Sequence, residues 1–208
     1  MRIIFADNKS QFMIFKRKIY DELLRWKRTD EGRTAVLIQG ARRVGKSTVA
    51  EEFATNEYDT HILVDFAACS SEIRDLFNDV SDLNRIFMRL QLEYGIELRE
   101  RKSAIIFDEV QLAPKARQAI KYLVKDGRYD YIETGSLISI RKNVKDILIP
   151  SEEVKLHMYP MDYEEFKWAL GDTATIKLLQ SCFQNRTSLG DATNRKLMRD
   201  FRLYMLIG

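Results

Sequence analysis

Only two cysteines, Cys69 and Cys182, occur among the 208 residues, far apart and without a C-x-x-C partner. That argues against a disulfide scaffold or a cysteine-based zinc site and for two reduced thiols. No apolar run approaches the ~20 residues of a membrane-spanning helix. The opening stretch MRIIFADNKSQF lacks the sustained apolar core of a secretory leader. The expectation is a cytosolic protein with no membrane partner. Neither sign of charge is in excess: 34 basic residues against 31 acidic ones leave a net charge of +3. Such a balance neither demands nor forbids nucleic acid, which would require a localised basic patch. Internal repeats and low-complexity linkers are also missing.

What is present suits a folded chain. Hydrophobic residues make up 45% and charged residues 31% of the sequence, a globular balance rather than a disordered one. The length fits one domain, or one domain and the start of another. Gln11 to Arg28 reads as helical, with Ile19, Leu23 and Trp26 at three- and four-residue spacing. Short apolar runs then alternate with amphipathic segments. Strands are expected at 35–39, 61–66, 104–107, 129–133 and 154–158, and helices at 46–54, 82–94 and 114–125, the last with proline in its first turn. Continuously apolar strands separated by helices indicate a parallel sheet covered on both faces, and such sheets bind ligands beyond the carboxyl ends of their strands. Past Asp162 the pattern turns helical, at 163–170, 175–183 and 195–206, with a polar, turn-rich stretch between Asn185 and Asn194.

The segment Gly40-Ala41-Arg42-Arg43-Val44-Gly45-Lys46-Ser47-Thr48 fits G-x-x-x-x-G-K-[ST]. Its glycines let the backbone curl so that successive amides point inward as an anion nest, and the helix that follows adds the positive end of its dipole. Lys46 is expected to bridge the β- and γ-phosphates of a nucleotide, and the Ser47 hydroxyl to ligate Mg²⁺. At ordinary residue frequencies the four fixed positions match by chance in roughly one chain of this length in a hundred. The apolar strand before the loop and the helix after it reduce that further. Arg42 and Arg43, at variable positions of the nucleotide-binding loop, either touch phosphate or have solvated or structural roles, the latter being favoured.

A second signal is Ala104-Ile105-Ile106-Phe107-Asp108-Glu109, a buried strand ending in two acids. Alone it is weak; downstream of a phosphate loop it is strong. Asp108 is expected to hold magnesium through its water shell. Glu109 is expected to polarise an attacking water, which favours hydrolysis over transfer to an acceptor. The extra strand between the motifs, His61 to Phe66, predicts that the acidic strand is not directly beside the loop strand. Thr134 and Ser136, in Ile132-Glu133-Thr134-Gly135-Ser136, are placed either to sense the γ-phosphate or to form a polar turn in which Ser136 caps a helix. An Asn-Lys-x-Asp guanine-reading motif is wanting; Asn143-Val144-Lys145-Asp146 has these residues out of register.

Together the loop, Asp108-Glu109-Val110-Gln111 and Thr134-Gly135-Ser136 resemble a prokaryotic AAA-type ATPase family related to the archaeal ATPases and to AAA+ proteins. Met158 to Phe166 resembles the P-L-S-x-x-E-F segment that closes the family's ATPase core. The resemblance spans about Thr34 to Leu170. It implies an α/β fold: a P-loop NTPase three-layer sandwich with a mainly parallel five-stranded sheet, then a small helical carboxy-terminal segment. It also implies ATP and Mg²⁺ as cofactors. The domain reading is a helical lead-in over 1–32, an ATPase core over 33–170 and, over 171–208, the start of a further domain that family members carry. One departure stands out. Relatives place Gly-Arg just before the last core strand, where an arginine could reach a neighbour's nucleotide; here the stretch is Ile149-Pro150-Ser151-Glu152-Glu153, and Arg141 is the nearest arginine before it.

Three functions compete: an ATPase coupled to a conformational change, a nucleotide-gated interaction module with little turnover, and a small-molecule kinase. A homo-oligomer or a protein partner is compatible with each. The basic residues Arg186, Arg195, Lys196, Arg199 and Arg202 are interrupted by Asp191 and Asp200 and read as a solvated face rather than a nucleic-acid surface. His61 and His157 read as strand packing, and Trp26, Trp168, Phe166 and Tyr163 as core.

Overall fold

The computed structural model describes residues 15–136 and 152–207. The lead-in helix α1 (Ile19–Asp30) precedes strand β1 (Ala35–Gly40), helix α2 (Lys46–Glu57), strand β2 (Thr60–Asp65) and the short helix α3 (Ser71–Asp75). Then come α4 (Leu83–Tyr94), β3 (Ser103–Asp108), α5 (Pro114–Asp126), β4 (Asp130–Ser136), β5 (Glu153–Met158), α6 (Tyr163–Ala169), α7 (Thr175–Gln184) and α8 (Asp191–Ile207). The strands form one parallel five-stranded sheet among the described residues, in the order β2-β3-β4-β1-β5.

Burial explains the strand sequences. Strands β1, β3 and β4 are interior, and every residue in them is buried. The edge strands β2 and β5 are only partly buried, as expected of strands paired on one side. Along β1, Ala35 and Leu37 pack into one cluster with residues of α3, α4 and α5, while Val36 and Ile38 pack into the other with Leu23 and Trp26 of α1 and Phe53 of α2. This period-two division makes a three-layer sandwich: helices, sheet, helices.

Element limits follow local chemistry. Helix α4 begins where the Asp82 side chain accepts the Arg85 amide, and ends at Gly95 in the left-handed region. Helix α3 is a difference from the sequence reading. Five residues are too short for a periodic signal, and the helix is marked only by the Ser70 cap on the Ile73 amide. Strand β4 runs three residues past the expected Glu133, and α8 starts four residues before the expected Arg195.

Helices α6 to α8 share a small aromatic cluster in which Tyr163, Phe166, Phe201 and Tyr204 lie 5.4–6.3 Å apart. Lys167 bridges Asp172 and Asp200 at 2.9 and 2.8 Å. Trp26 and Phe166 are buried, but Trp168 and Tyr163 are only half-buried. Trp168 instead has the Lys16 and Lys18 ammonium groups 5.1 and 5.9 Å from its ring. No helix among the described residues is long and apolar enough to cross a membrane.

Candidate active site

The carboxyl ends of β1, β3 and β4 converge on one place. Gly40 closes β1 and lies in register with Ser136 of β4 and Met158 of β5. A Cβ at Gly40 would sit 2.1 Å from the Met158 carbonyl oxygen, so only glycine lets the loop leave the sheet at this point. The turn that follows carries Arg43 at φ 63° and Gly45 at φ 93°, both left-handed, before α2 begins at Lys46. Alternating backbone handedness of this kind forms an anion nest. Ala41, Arg42, Arg43 and Thr48 are exposed, Val44, Gly45 and Ser47 half-buried, and Lys46 buried.

The Lys46 ammonium donates to the Ala41 carbonyl at 2.8 Å, across the loop's own mouth. Burial lowers its pKa, the Glu109 and Asp108 carboxylates raise it, and Arg42 lowers it; the net shift is downward. The Ser47 hydroxyl donates to Asp108 Oδ1 at 2.7 Å. The Thr134 hydroxyl donates to the same oxygen and accepts the Glu109 amide at 3.2 Å. One hydroxyl on β4 therefore organises both acids at the end of β3. Ser136 is buried at the foot of the loop; the residues after it, including Arg141 and Asn143 to Asp146, lie outside the described residues.

Glu109 leaves the strand at φ 53°, unusual for a residue with a Cβ. Its carboxylate accepts the Gln111 side-chain amide. The acidic strand is separated from the loop strand as expected, but the strand between them is β4; β2 lies at the sheet edge. Interleaving β4 is what brings Thr134 to Asp108.

The helix expected from Gln11 to Arg28 runs instead from Ile19 to Asp30, so Arg17 lies two residues ahead of it and not within it. Its guanidinium donates to the Val44 carbonyl at 2.8 Å and to the Tyr159 carbonyl at 2.7 Å, and its Nε lies 3.3 Å from Glu165 Oε2. Glu165 also accepts the Lys18 and Asp162 amides. Its presence in the Met158 to Phe166 segment was the available signal. Gln111 was visible within D-E-V-Q, without a role. His157 packs in β5 with its Nε2 2.7 Å from Gln39 Nε2. Beside the loop, between α1 and α2, lies a cavity of about 360 Å³ lined by Lys16, Arg17, Tyr20, Asp21, Leu24, Val49 and Glu52.

The oxygen donors Ser47 and Asp108 suit a hard divalent cation such as magnesium, which takes few protein ligands and keeps several waters. Among the described residues no group of three or more His, Cys, Asp or Glu could hold a metal by itself, so such a cation would depend on phosphate and water oxygens as well.

Residues 32–167 match the family described as AAA domain. A search of curated proteins finds no match. Among solved structures, the chain is similar to C. elegans PCH-2, at 12% identity over 76% of this chain and 46% of that one, with a TM-score of 0.39. It is also similar to the Thermotoga maritima RuvB Holliday junction branch migration motor, at 12% identity over 76% of this chain and 51% of that one, with a TM-score of 0.42. The chain thus spans about half the length of either structure.

Proposed function

The chain belongs to the AAA domain family, and from that premise we propose that it binds ATP with magnesium and hydrolyses it to drive or time a conformational change. The observation that carries the reading is the convergence of three strand ends: Lys46 and Ser47 from the loop after β1, Asp108 and Glu109 after β3, and Thr134 on β4, joined through Asp108 and the Glu109 amide.

Gly40 to Gly45 supply main-chain amides to the phosphates, and Lys46 exchanges its Ala41 contact for β- and γ-phosphate oxygens. Ser47 and Asp108 would hold the cation, which when bound would neutralise charge building on those oxygens. Thr134 keeps Asp108 aimed at Ser47 and fixes the backbone from which Glu109 projects. Glu109 takes a proton from a water whose oxygen attacks the γ-phosphorus. The bond from that phosphorus to the β–γ bridging oxygen breaks, giving ADP and inorganic phosphate. The cavity beside α1, with Tyr20 and Leu24 on its wall, has the size of a small-molecule site and receives the base.

Two observations favour a second reading in which ATP gates an interaction with little turnover. Gln111 already engages the Glu109 carboxylate, and the stretch before β5 carries no Gly-Arg pair. Nucleotide binding and phosphate release by the wild type, Lys46→Ala and Glu109→Gln, with ATP and GTP compared, test both. Lys46→Ala should abolish binding. Glu109→Gln should retain binding and lose roughly a hundred-fold or more in turnover. Equal ATP binding by wild type and Lys46→Ala would refute the site. Turnover already negligible in the wild type and unchanged by Glu109→Gln would leave the gating reading. Phosphate release without an added acceptor argues against a small-molecule kinase.

A further inference from the structure

We infer that Arg17 is a positioning residue for the phosphate loop, acting through the Val44–Gly45 peptide; the inference rests on the nucleotide-binding reading above. The guanidinium divides its nitrogens among three segments of chain. Nη1 reaches Val44 in the loop, Nη2 reaches Tyr159 after β5, and Nε faces Glu165 in α6. Arginine is a donor with a fixed planar fork, so two carbonyl acceptors in set directions, with the Glu165 carboxylate as ion-pair partner, hold it as firmly as it holds them. It is only 9% exposed and Glu165 only 5%, and solvent screens the pair little.

The consequence for the loop follows from peptide planarity. In a trans peptide the carbonyl and the amide hydrogen of the next residue point in opposite directions. Drawing the Val44 carbonyl towards Arg17 therefore turns the Gly45 amide hydrogen away from Arg17, to the side where the loop closes on its ligand. Gly45 sits at φ 93°, and because glycine takes positive and negative φ about equally readily, its own backbone does not fix the orientation of the peptide before it. Arg17 Nη1 would lie 3.7 Å from a Cβ placed on Gly45, at ordinary van der Waals distance from this residue. Something outside the loop has to select the orientation, and Arg17 is placed to do so.

Glu165 holds Arg17 in turn. Its Oε1 accepts the Lys18 amide at 2.7 Å, fixing the backbone beside Arg17, and its Oε2 caps α6 by accepting the Asp162 amide at 3.0 Å. The start of α6 is thereby tied to the loop through one side chain. Lys167, on the same helix, extends the tie to Asp200 of α8.

The test measures dissociation constants for ATP, ADP and AMP with the full chain carrying Arg17→Ala, Arg17→Lys or Glu165→Gln, together with melting temperatures without nucleotide. In a phosphate loop the main-chain amides cradle the inner phosphates, so Arg17→Ala should weaken ATP and ADP roughly ten-fold or more, and AMP, which has no β-phosphate, much less. Arg17→Lys should recover part of that loss, because one ammonium keeps the charge facing Glu165 and replaces at most one of the two hydrogen bonds. Glu165→Gln keeps the helix cap, since glutamine serves at that position. It should still weaken ATP roughly two- to five-fold without touching the loop. If Arg17→Ala fails to fold, Arg17→Lys and Glu165→Gln carry the test. Variants that fold and bind ATP and ADP as tightly as the wild type would overturn this role while leaving the nucleotide site intact. Equal losses for ATP, ADP and AMP would also overturn it. A folded wild type that binds no nucleotide would overturn both readings together.

Discussion

Replacing Glu133 with glutamine should stabilise the protein at neutral pH. Glu133 sits on β4 with 0% exposure. Arg117 of α5 lies 3.9 Å from it but makes two shorter contacts, at 3.2 and 3.3 Å, with Glu153 of β5. Lys155 adds a contact to Glu153 at 3.7 Å. No donor among the described residues reaches either Glu133 oxygen, and a protonated Glu133 can donate to the neighbouring Glu153 carboxylate. Burial first, and then the neighbouring Glu153 charge, push the Glu133 carboxyl well above the ordinary glutamate value, against the opposing pull of Arg117. A carboxyl raised in the folded state holds its proton more tightly there than in the unfolded chain. Its contribution is fully favourable below the ordinary glutamate value and declines as pH rises past it. The slope is about 1.4 kcal/mol per pH unit until the folded group ionises as well. Glutamine has the same shape and no proton to hold. The gain from Glu133→Gln is therefore set by how far the pH stands above the ordinary glutamate value, at about 1.4 kcal/mol per pH unit, and each kcal/mol moves the melting temperature of a chain this size by about 2–4 °C. The assay is guanidinium unfolding of both proteins between pH 5 and pH 8. The advantage of Glu133→Gln should be largest at pH 8 and shrink towards pH 5. A variant less stable than the wild type by the same amount at every pH would refute the reasoning. It would mean that Glu133 is ionised and that Arg117 compensates it fully.

Two further substitutions probe the site's construction. Thr134→Val keeps the side-chain shape but removes the hydroxyl between Asp108 and the Glu109 amide. It should cost about 1–3 kcal/mol in stability and lower turnover more than ATP affinity, as read from unfolding curves and steady-state kinetics. Gly40→Ala sets a methyl group against the Met158 carbonyl, which cannot retreat without shifting β5. Melting temperature and nucleotide titration should show a loss of about 1–3 kcal/mol in stability together with weaker ATP binding.

The site was partly legible because its chemistry is local in two places. A nest requires glycines at set spacing next to a lysine and a hydroxyl, and all of these lie within nine consecutive residues, Gly40 to Thr48. The acidic pair ends an apolar strand, and period and composition mark that as well. Arg17 was invisible because its partners, Val44, Tyr159 and Glu165, are up to 148 positions away in the chain. No periodicity in the sequence records a contact of that range. Gln111 carries no readable task in the sequence, since its contact with Glu109 depends on the left-handed turn at Glu109. Trp168 shows the opposite failure. An aromatic residue in a helix suggested core, yet the tertiary structure leaves it half-buried beneath two lysines.

By itself the sequence determined most of the element types and the parallel α/β class, and it marked the candidate phosphate loop, because these depend on neighbours a few residues apart. Hydrogen-bonding periods and backbone handedness act over that range. Only the tertiary structure decided that β4 lies between β1 and β3, and that Thr134 therefore meets Asp108. It alone placed Glu133 beside Glu153 with one guanidinium between two acids, and Arg17 against the loop. Strand order and burial are set by how all the apolar faces pack at once, and that collective choice is not written in any single stretch of chain.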